Sequence, residues 1–183
     1  MAKVICTMLL YIVTKSGTIR DAPCVKKPNT SLDDGPIKFT VSGDSNYYLD
    51  LGSSYLYLEV KITKADGTAT DADTAVGPVN LIAHSLFKQV DVYLNDVLIS
   101  NASDLYHYRA FLETLLTYND EAKKSQLTMA LFYKDTARTI DDVNNDNVGL
   151  KTRRSFIDAS KTVTMICKPH SDIFFRRDSF SMG

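Results

Sequence analysis

The apolar run Val4–Val13 near the N-terminus stops well short of the roughly 20 residues a membrane-spanning helix needs. No stretch of this chain reads as such a helix. It also lacks chemistry in any familiar arrangement: there is no Gly-rich phosphate loop, dinucleotide fingerprint, HExxH or nucleophile elbow. Cysteine is scarce, and Cys6, Cys24 and Cys167 are odd in number, widely separated and without metal-type spacing. That pattern favours reduced thiols over a disulfide or zinc framework. Excess charge is missing as well, because a formal net charge of −1 gives no global attraction for the phosphates that dominate nucleic-acid affinity. What remains is ordinary globular composition, 44 % hydrophobic and 23 % charged, which argues against disorder. At 183 residues the chain suits one domain burying roughly 70 % of its unfolded surface.

Local patterns point mainly to strands. Tyr55–Thr63 carries the strongest signal, with Leu56, Leu58, Val60 and Ile62 on one face and Tyr55, Tyr57, Glu59 and Lys61 on the other. Ile37, Phe39 and Val41 alternate with polar residues, and Tyr48–Leu51 resumes an extended run after a turn, so these read as the first two strands. Val90, Val92 and Leu94 alternate with Gln89, Asp91 and Tyr93; Asn95-Asp96 then tolerates positive φ, and Val97–Ile99 is the return strand of a hairpin. A helix follows, with Leu105, Tyr108, Phe111 or Leu112, and Leu115 at helical spacing as its buried face and Asn101 or Ser103 as its cap. Asn119–Leu127, acidic first and basic later, reads as a short helix complementing its own dipole. Two late strands are expected at Val163–Cys167 and Asp172–Phe175, and an exposed loop at Asp141–Gly149. Turn formers between Lys15 and Leu32 give residues 1–32 the character of an irregular N-terminal arm, with a single domain over 33–183. Within the arm, Val4–Val13 has the outline of a short signal-peptide core, and a buried strand of β-branched residues explains it equally well. Short strands, polar loops and helices confined to insertions indicate an all-β antiparallel sandwich.

The groups capable of chemistry do not assemble on paper. His84, His107 and His170 each lack a second ligand at helical or hairpin spacing, so surface or cap roles are expected, with no metal and no cofactor. Arg109 and Glu113 form an i, i+4 pair on the helix of His107, but no nucleophile or oxyanion site accompanies them, and no enzymatic activity or small-molecule substrate is expected. The Asp/Asn-rich loop 141–147 lacks the EF-hand order for calcium. Lys151, Arg153, Arg154 and the pair Arg176-Arg177 could meet phosphates, yet in a net acidic chain they read as solubilising charge, and nucleic acid is not expected as a direct ligand.

Six ordered blocks then carry a resemblance. They are Asp34-Gly35-Pro36-Ile37-Lys38-Phe39; Tyr48–Leu51 followed by Leu56–Thr63; Val76-Gly77-Pro78-Val79-Asn80-Leu81 running into His84–Val92; Tyr108–Leu116; Ala122–Leu127; and Tyr133-Lys134-Asp135-Thr136-Ala137. In that order, over roughly Asp34–Phe175, the chain resembles the N-terminal part of the hexon-like, double jelly-roll major capsid proteins of polinton- and adintovirus-type DNA viruses, whose relatives lie integrated in animal genomes. The resemblance implies an antiparallel jelly-roll sandwich with one or two short helices inserted between strands, homotrimers, and a capsid lattice shared with other capsid proteins. Family members carry two jelly rolls in tandem and this chain has room for one, so a truncated or endogenised copy missing its last strands is expected. Open sheet edges would make such a chain prone to aggregation. The implied location is the virion capsid, or otherwise the cytoplasm or nucleus. Tyr55, Tyr57, Tyr93, Tyr106, Tyr108 and Arg109 are the candidate subunit-interface residues, since aromatic rings with a polar tip are favoured at interfaces. The alternative is a lectin-like or receptor-like jelly-roll module that binds glycan or peptide in its loops.

Overall fold

Val4, Cys6, Met8 and Leu10 alternate with Ile5, Thr7, Leu9 and Tyr11, and Leu56, Leu58, Val60 and Ile62 alternate with Tyr55, Tyr57, Glu59 and Lys61. Two segments of that period can zip into one ladder with a single apolar face. The computed structural model, which describes residues 2–15, 24–31, 36–41, 48–71, 76–100, 104–142, 147–175 and 180–181, shows this ladder at its centre. Strand β1 (Ala2–Lys15) runs antiparallel to a long strand, here β3 (Tyr48–Lys64), so that Val4 faces Ile62, Cys6 faces Val60, Met8 faces Leu58 and Leu10 faces Leu56. Strand β2 (Cys24–Ser31) pairs with the free side of β1.

Of residues 1–32, expected as an irregular arm, the described ones, 2–15 and 24–31, form two strands of the main sheet. The strand reading of Val4–Val13 is the one the structure adopts. Of the turn formers there, Gly17 and Pro23 lie outside the described residues, while Pro28 and Asn29 are accommodated locally. The β1–β2 register slips between Cys6 and Met8, opposite Pro28-Asn29, and an edge strand with a bulge is where a proline lacking an N–H can sit. Likewise Tyr48–Leu51 and Tyr55–Thr63, read as separate strands, are one strand interrupted by a slip: Tyr11 pairs with Tyr55 but Val13 pairs with Asp50. The Asp50 carboxylate holds that irregularity by accepting from the Ser53 N–H and hydroxyl.

The chain next forms α1 (Ile82–Ser85), the hairpin strands β4 (Tyr93–Leu94) and β5 (Val97–Leu98), α2 (Tyr106–Thr117), α3 (Asp120–Lys124) and a 3-10 turn at Gln126–Ala130. Helix α4 (Val148–Ile157), strand β6 (Val163–Cys167), helix α5 (Asp172–Phe175) and strand β7 (Phe180–Ser181) complete it. Among the described residues the main sheet has the order β2-β1-β3-β6, with β7 also on β3, and β4–β5 stands apart. The architecture is therefore antiparallel strands with several short helices. The hairpin turn falls where expected, with Asn95 at φ 48° and Asp96 at φ 61°, but the ladder is shorter than expected, Tyr93–Leu94 against Val97–Leu98. Strand β6 and helix α3, whose cap Asn119 accepts from the Ala122 N–H at 2.9 Å, also fall where expected. Ile37, Phe39 and Val41 alternate in burial and pack on the core, yet they join no ladder. Asp172–Phe175 is a short helix rather than a strand. Pro169 breaks the ladder, and the Phe174 N–H donates to the Ser171 carbonyl, turning Phe174 into a small cluster with Leu49 and Leu51.

The principal core lies on one face of the sheet. Cys6, Met8, Leu58, Val60, Val163 and Met165 meet Leu81–Ala83, Ala130–Phe132 and Ile157 from the helices and turns above. Each fully buried aliphatic side chain contributes about 1.5–3 kcal/mol. The opposite face is not covered by the described residues: Tyr11, Tyr55 and Ile166 stay exposed there.

Above the core, α4 replaces part of the loop expected at Asp141–Gly149. Asn147 caps it, accepting from the Leu150 N–H at 3.1 Å while its amide donates to Asp135 at 2.8 Å and to the Ile140 carbonyl at 2.9 Å. Arg153, 2 % exposed, sends Nε to the Pro78 carbonyl, Nη1 to the Tyr133 carbonyl and Nη2 to Asp135. A buried guanidinium is tolerable only when paired this fully. Close approach of α4 to residues 133–134 depends on Gly149, where an added Cβ would lie 2.3 Å from the Lys134 carbonyl oxygen and 2.8 Å from that of Tyr133. Gly149→Ala should therefore lower stability by about 2 kcal/mol or more in urea titration, whereas Val148→Ala at the exposed neighbouring position should change it by less than about 0.5 kcal/mol. Equal effects of the two would refute the close contact.

Candidate interface and the polar cluster beneath it

Helix α2 inverts the face that its leucines suggest. The side chains it buries are Tyr106, Ala110 and Thr114, an i, i+4, i+8 stripe of mixed size and polarity. Leu105, Tyr108 and Leu112 are each more than half exposed, and Leu116 is 85 % exposed. The expected buried face is thus the solvent face, with only Phe111 packing partly on the core. Small Ala110 and Thr114 let the helix approach α1 closely, while a leucine face would not fit over the two imidazoles found there.

The helix is positioned from both ends and from below. Its Leu105 cap offers no side-chain bond, and Asn101 and Ser103, expected as caps, lie outside the described residues. Instead the Tyr106 N–H donates to the Lys88 carbonyl, and Lys88 pairs with Asp104 at 2.6 Å. At the other end the Lys123 ammonium donates to the Leu115 carbonyl at 3.0 Å, where a cation suits the helix dipole.

Beneath α2 lies the feature that sequence reasoning missed. His84 from α1 and His170 from the β6–α5 connection are not surface histidines; both are buried, with ring centroids 4.8 Å apart in an edge-to-face contact. The Tyr106 hydroxyl sits 3.0 Å from His84 Nδ1 and accepts from the His170 N–H at 3.1 Å. His170 Nδ1 lies 2.9 Å from the Glu113 carboxylate and Nε2 lies 3.5 Å from the Thr114 hydroxyl. Arg109 closes the group, bonding Glu113 at 2.6 Å and reaching Asp172 of α5. The only sequence signal was the Arg109–Glu113 spacing; nothing in it shows that residues 84 and 170 converge.

Electrostatics follow from this geometry. Burial, reinforced by His170, holds the His84 imidazole down to about 3, so it is neutral in the folded protein at neutral pH. Burial pushes Glu113 up, but the bonds from Arg109 and His170 outweigh it and keep the carboxyl below its ordinary value. Burial also raises Tyr106 well above the usual phenol range. Glu113, His170 and Thr114 have the connectivity of an acid–base–nucleophile series, yet Thr114 is wholly buried and its hydroxyl is closed to substrate in this structure.

The six candidate interface residues do not form one patch. Tyr55 and Tyr57 lie on the outer sheet face, where Tyr57 meets Tyr11 edge-on at 6.4 Å and donates to Glu59 at 2.7 Å. Tyr93 is exposed on the hairpin and Tyr108 on α2, whereas Tyr106 is buried and Arg109 is engaged with Glu113 and Asp172. His107 packs beside Tyr108 with ring centroids 4.3 Å apart. Of the basic residues, Lys151 is exposed, Arg153 is buried and Arg154 pairs with Asp158 at 3.5 Å, while Arg176 and Arg177 lie outside the described residues. In the Asp/Asn-rich loop, residues 143–146 also lie outside them and the Asn147 side chain is committed to capping α4. Among the described residues no group of three or more His, Cys, Asp or Glu could hold a metal, and no helix is long and apolar enough to cross a membrane. Cys6 and Cys167 are free buried thiols, pushed up by burial to about 11 and about 12.

Comparison with known proteins returns an uncharacterised Caenorhabditis elegans protein, 29 % identical over 147 residues that cover 76 % of this chain and 33 % of the relative. The chain therefore spans about a third of that relative's length. No family model matches, and no solved structure matches.

Tyr106→Phe deletes the hydroxyl that partners both His84 Nδ1 and the His170 N–H, and should cost about 1–3 kcal/mol in urea unfolding with an unchanged denaturant slope. A loss under about 0.5 kcal/mol would show that the hydroxyl does not hold the cluster.

Proposed function

We propose that this chain is a structural subunit of a viral capsid shell, equivalent to the N-terminal jelly roll of a hexon-like major capsid protein, and that it works by self-association rather than by chemistry. The observation that carries the reading is the solvent-facing stripe of Tyr108, Leu112 and Leu116 on α2, within the block that resembles those proteins, continued by exposed Leu105 at the helix cap. Contiguous apolar surface on a soluble domain marks an interaction site. The uncovered outer face of the main sheet, with Tyr11, Tyr55 and Ile166, supports the same reading, because a sandwich needs a second sheet against it. On this reading further chain supplies that sheet, and the nematode relative, only a third of which is matched, has room for it. Homotrimers and a capsid lattice are the corresponding assembly, with other capsid proteins as neighbours and the virion as the location.

Sedimentation velocity tests the interface. The protein should show concentration-dependent association, and the double variant Leu112→Glu/Leu116→Glu should weaken it by more than about tenfold while keeping its circular dichroism and melting transition. A protein that stays monomeric at every concentration, or that associates as strongly with both glutamates in place, would overturn the reading; saturable glycan binding by such a monomer would favour the lectin-like alternative.

A further inference from the structure

We infer that the buried His84–His170 pair is an acid-released latch that holds α2 on the domain. The inference concerns how the helix is attached and does not depend on what its outer face binds. The inward stripe of α2 contains Ala110 as its one aliphatic side chain, beside the Tyr106 ring, and Phe111 packs partly on the core, so polar contacts supply much of what fastens the helix. Those contacts converge on the two histidines: Tyr106 on His84 Nδ1 and on the His170 backbone N–H, Glu113 on His170 Nδ1, and Thr114 on His170 Nε2.

The charged and titratable groups around the pair set what happens on acidification. From α2 come Glu113, Arg109 and Tyr106; from α5, Asp172, which is occupied by Arg109; from the end of β6, the Cys167 thiol. Lys168 follows β6 and donates to the Gly52 carbonyl at 2.6 Å with its ammonium 5.0 Å from the Phe175 ring centroid. The Phe175 ring also flanks His170 at 5.5 Å. Glu113, the carboxylate of the cluster, bonds His170 Nδ1 and not His84. His84 has a neutral phenol as its partner and the other imidazole 4.8 Å away, so the closed site puts no counter-charge beside a proton on His84.

When α2 lifts, His84 meets water and regains its ordinary affinity for a proton. The sign follows: the imidazole is held at about 3 when closed and returns to roughly 6.5 when open, so the latch is at full strength above about pH 6.5 and weakens as the pH falls toward 3. Between about pH 7.5 and 5.0 the open fraction should rise about thirtyfold from His84 alone.

Hydrogen exchange by mass spectrometry on the full chain, corrected for the intrinsic pH dependence of exchange, reads this directly. Protection of residues 106–117 should fall about thirtyfold from about pH 7.5 to 5.0 while β1 and β3 keep theirs, and His84→Gln, which can still accept from Tyr106, should reduce the change to less than about threefold. Equal loss in α2 and β3, or an unchanged response in His84→Gln, would overturn the latch. Should the variant fail to fold, imidazole NMR of the unmodified protein decides: His84 protonation should move together with the α2 amides, and His84 titrating while those amides stay fixed would refute it.

Discussion

The antiparallel ladder between β1 and β3 is the contact on which the rest of this protein depends. It sets Cys6, Met8 and Leu10 beside Val60, Leu58 and Leu56 on one face, and thereby defines the surface against which α1, the 3-10 turn and the end of α4 bury their apolar residues. A one-residue slip would send that apolar row to solvent, so the register is fixed by burial rather than by hydrogen bonds, which any register would make. The irregularity at Asp50–Ser54 then divides the sheet between two partners, letting β6 pair with residues 56–60 and β7 with residues 48–49 of the same strand.

Two polar devices lock the covering layer onto this base. Arg153, Asp135 and Asn147 bind the start of α4 to the segment at 133–136 and to the Pro78 carbonyl, an arrangement that α4 reaches only because position 149 carries no side chain. His84, Tyr106, His170 and Glu113 do the equivalent for α2. The first device matches one guanidinium with one carboxylate and is charge-compensated as it stands. The second joins two imidazoles with one carboxylate, and its strength depends on proton activity. The consequence is an α2 whose inner face is committed to polar bonds and whose outer face keeps its leucines in solvent.

Periodicity made much of this legible. The alternation of Leu56–Ile62, the Asn95-Asp96 turn, the short acidic-to-basic helix after Tyr118 and Val163–Cys167 all fell where local chemistry placed them, because each is decided within a few residues. What escaped was decided at long range. The α2 leucines were read as core, but the space beneath the helix is taken by His84 and His170, which reach it from opposite sides of α2 in the chain. Pro28 and its neighbours read as an irregular arm until β1 offered an edge with a bulge, and Arg153 read as surface charge until the Pro78 and Tyr133 carbonyls surrounded it. Of the candidate interface residues, Tyr108 and Tyr93 face solvent as an interface requires, whereas Tyr106 serves the interior.

These pieces join in one account: among the described residues, a sheet with one covered and one open face carries a helix that turns apolar residues outward from a polar footing, and these are the two surfaces the proposed assembly would use. Electron microscopy of the expressed protein at high concentration tests that claim most directly. The account predicts regular oligomers with threefold symmetry or larger repeating arrays; a dispersed population of single, unassociated particles would contradict it.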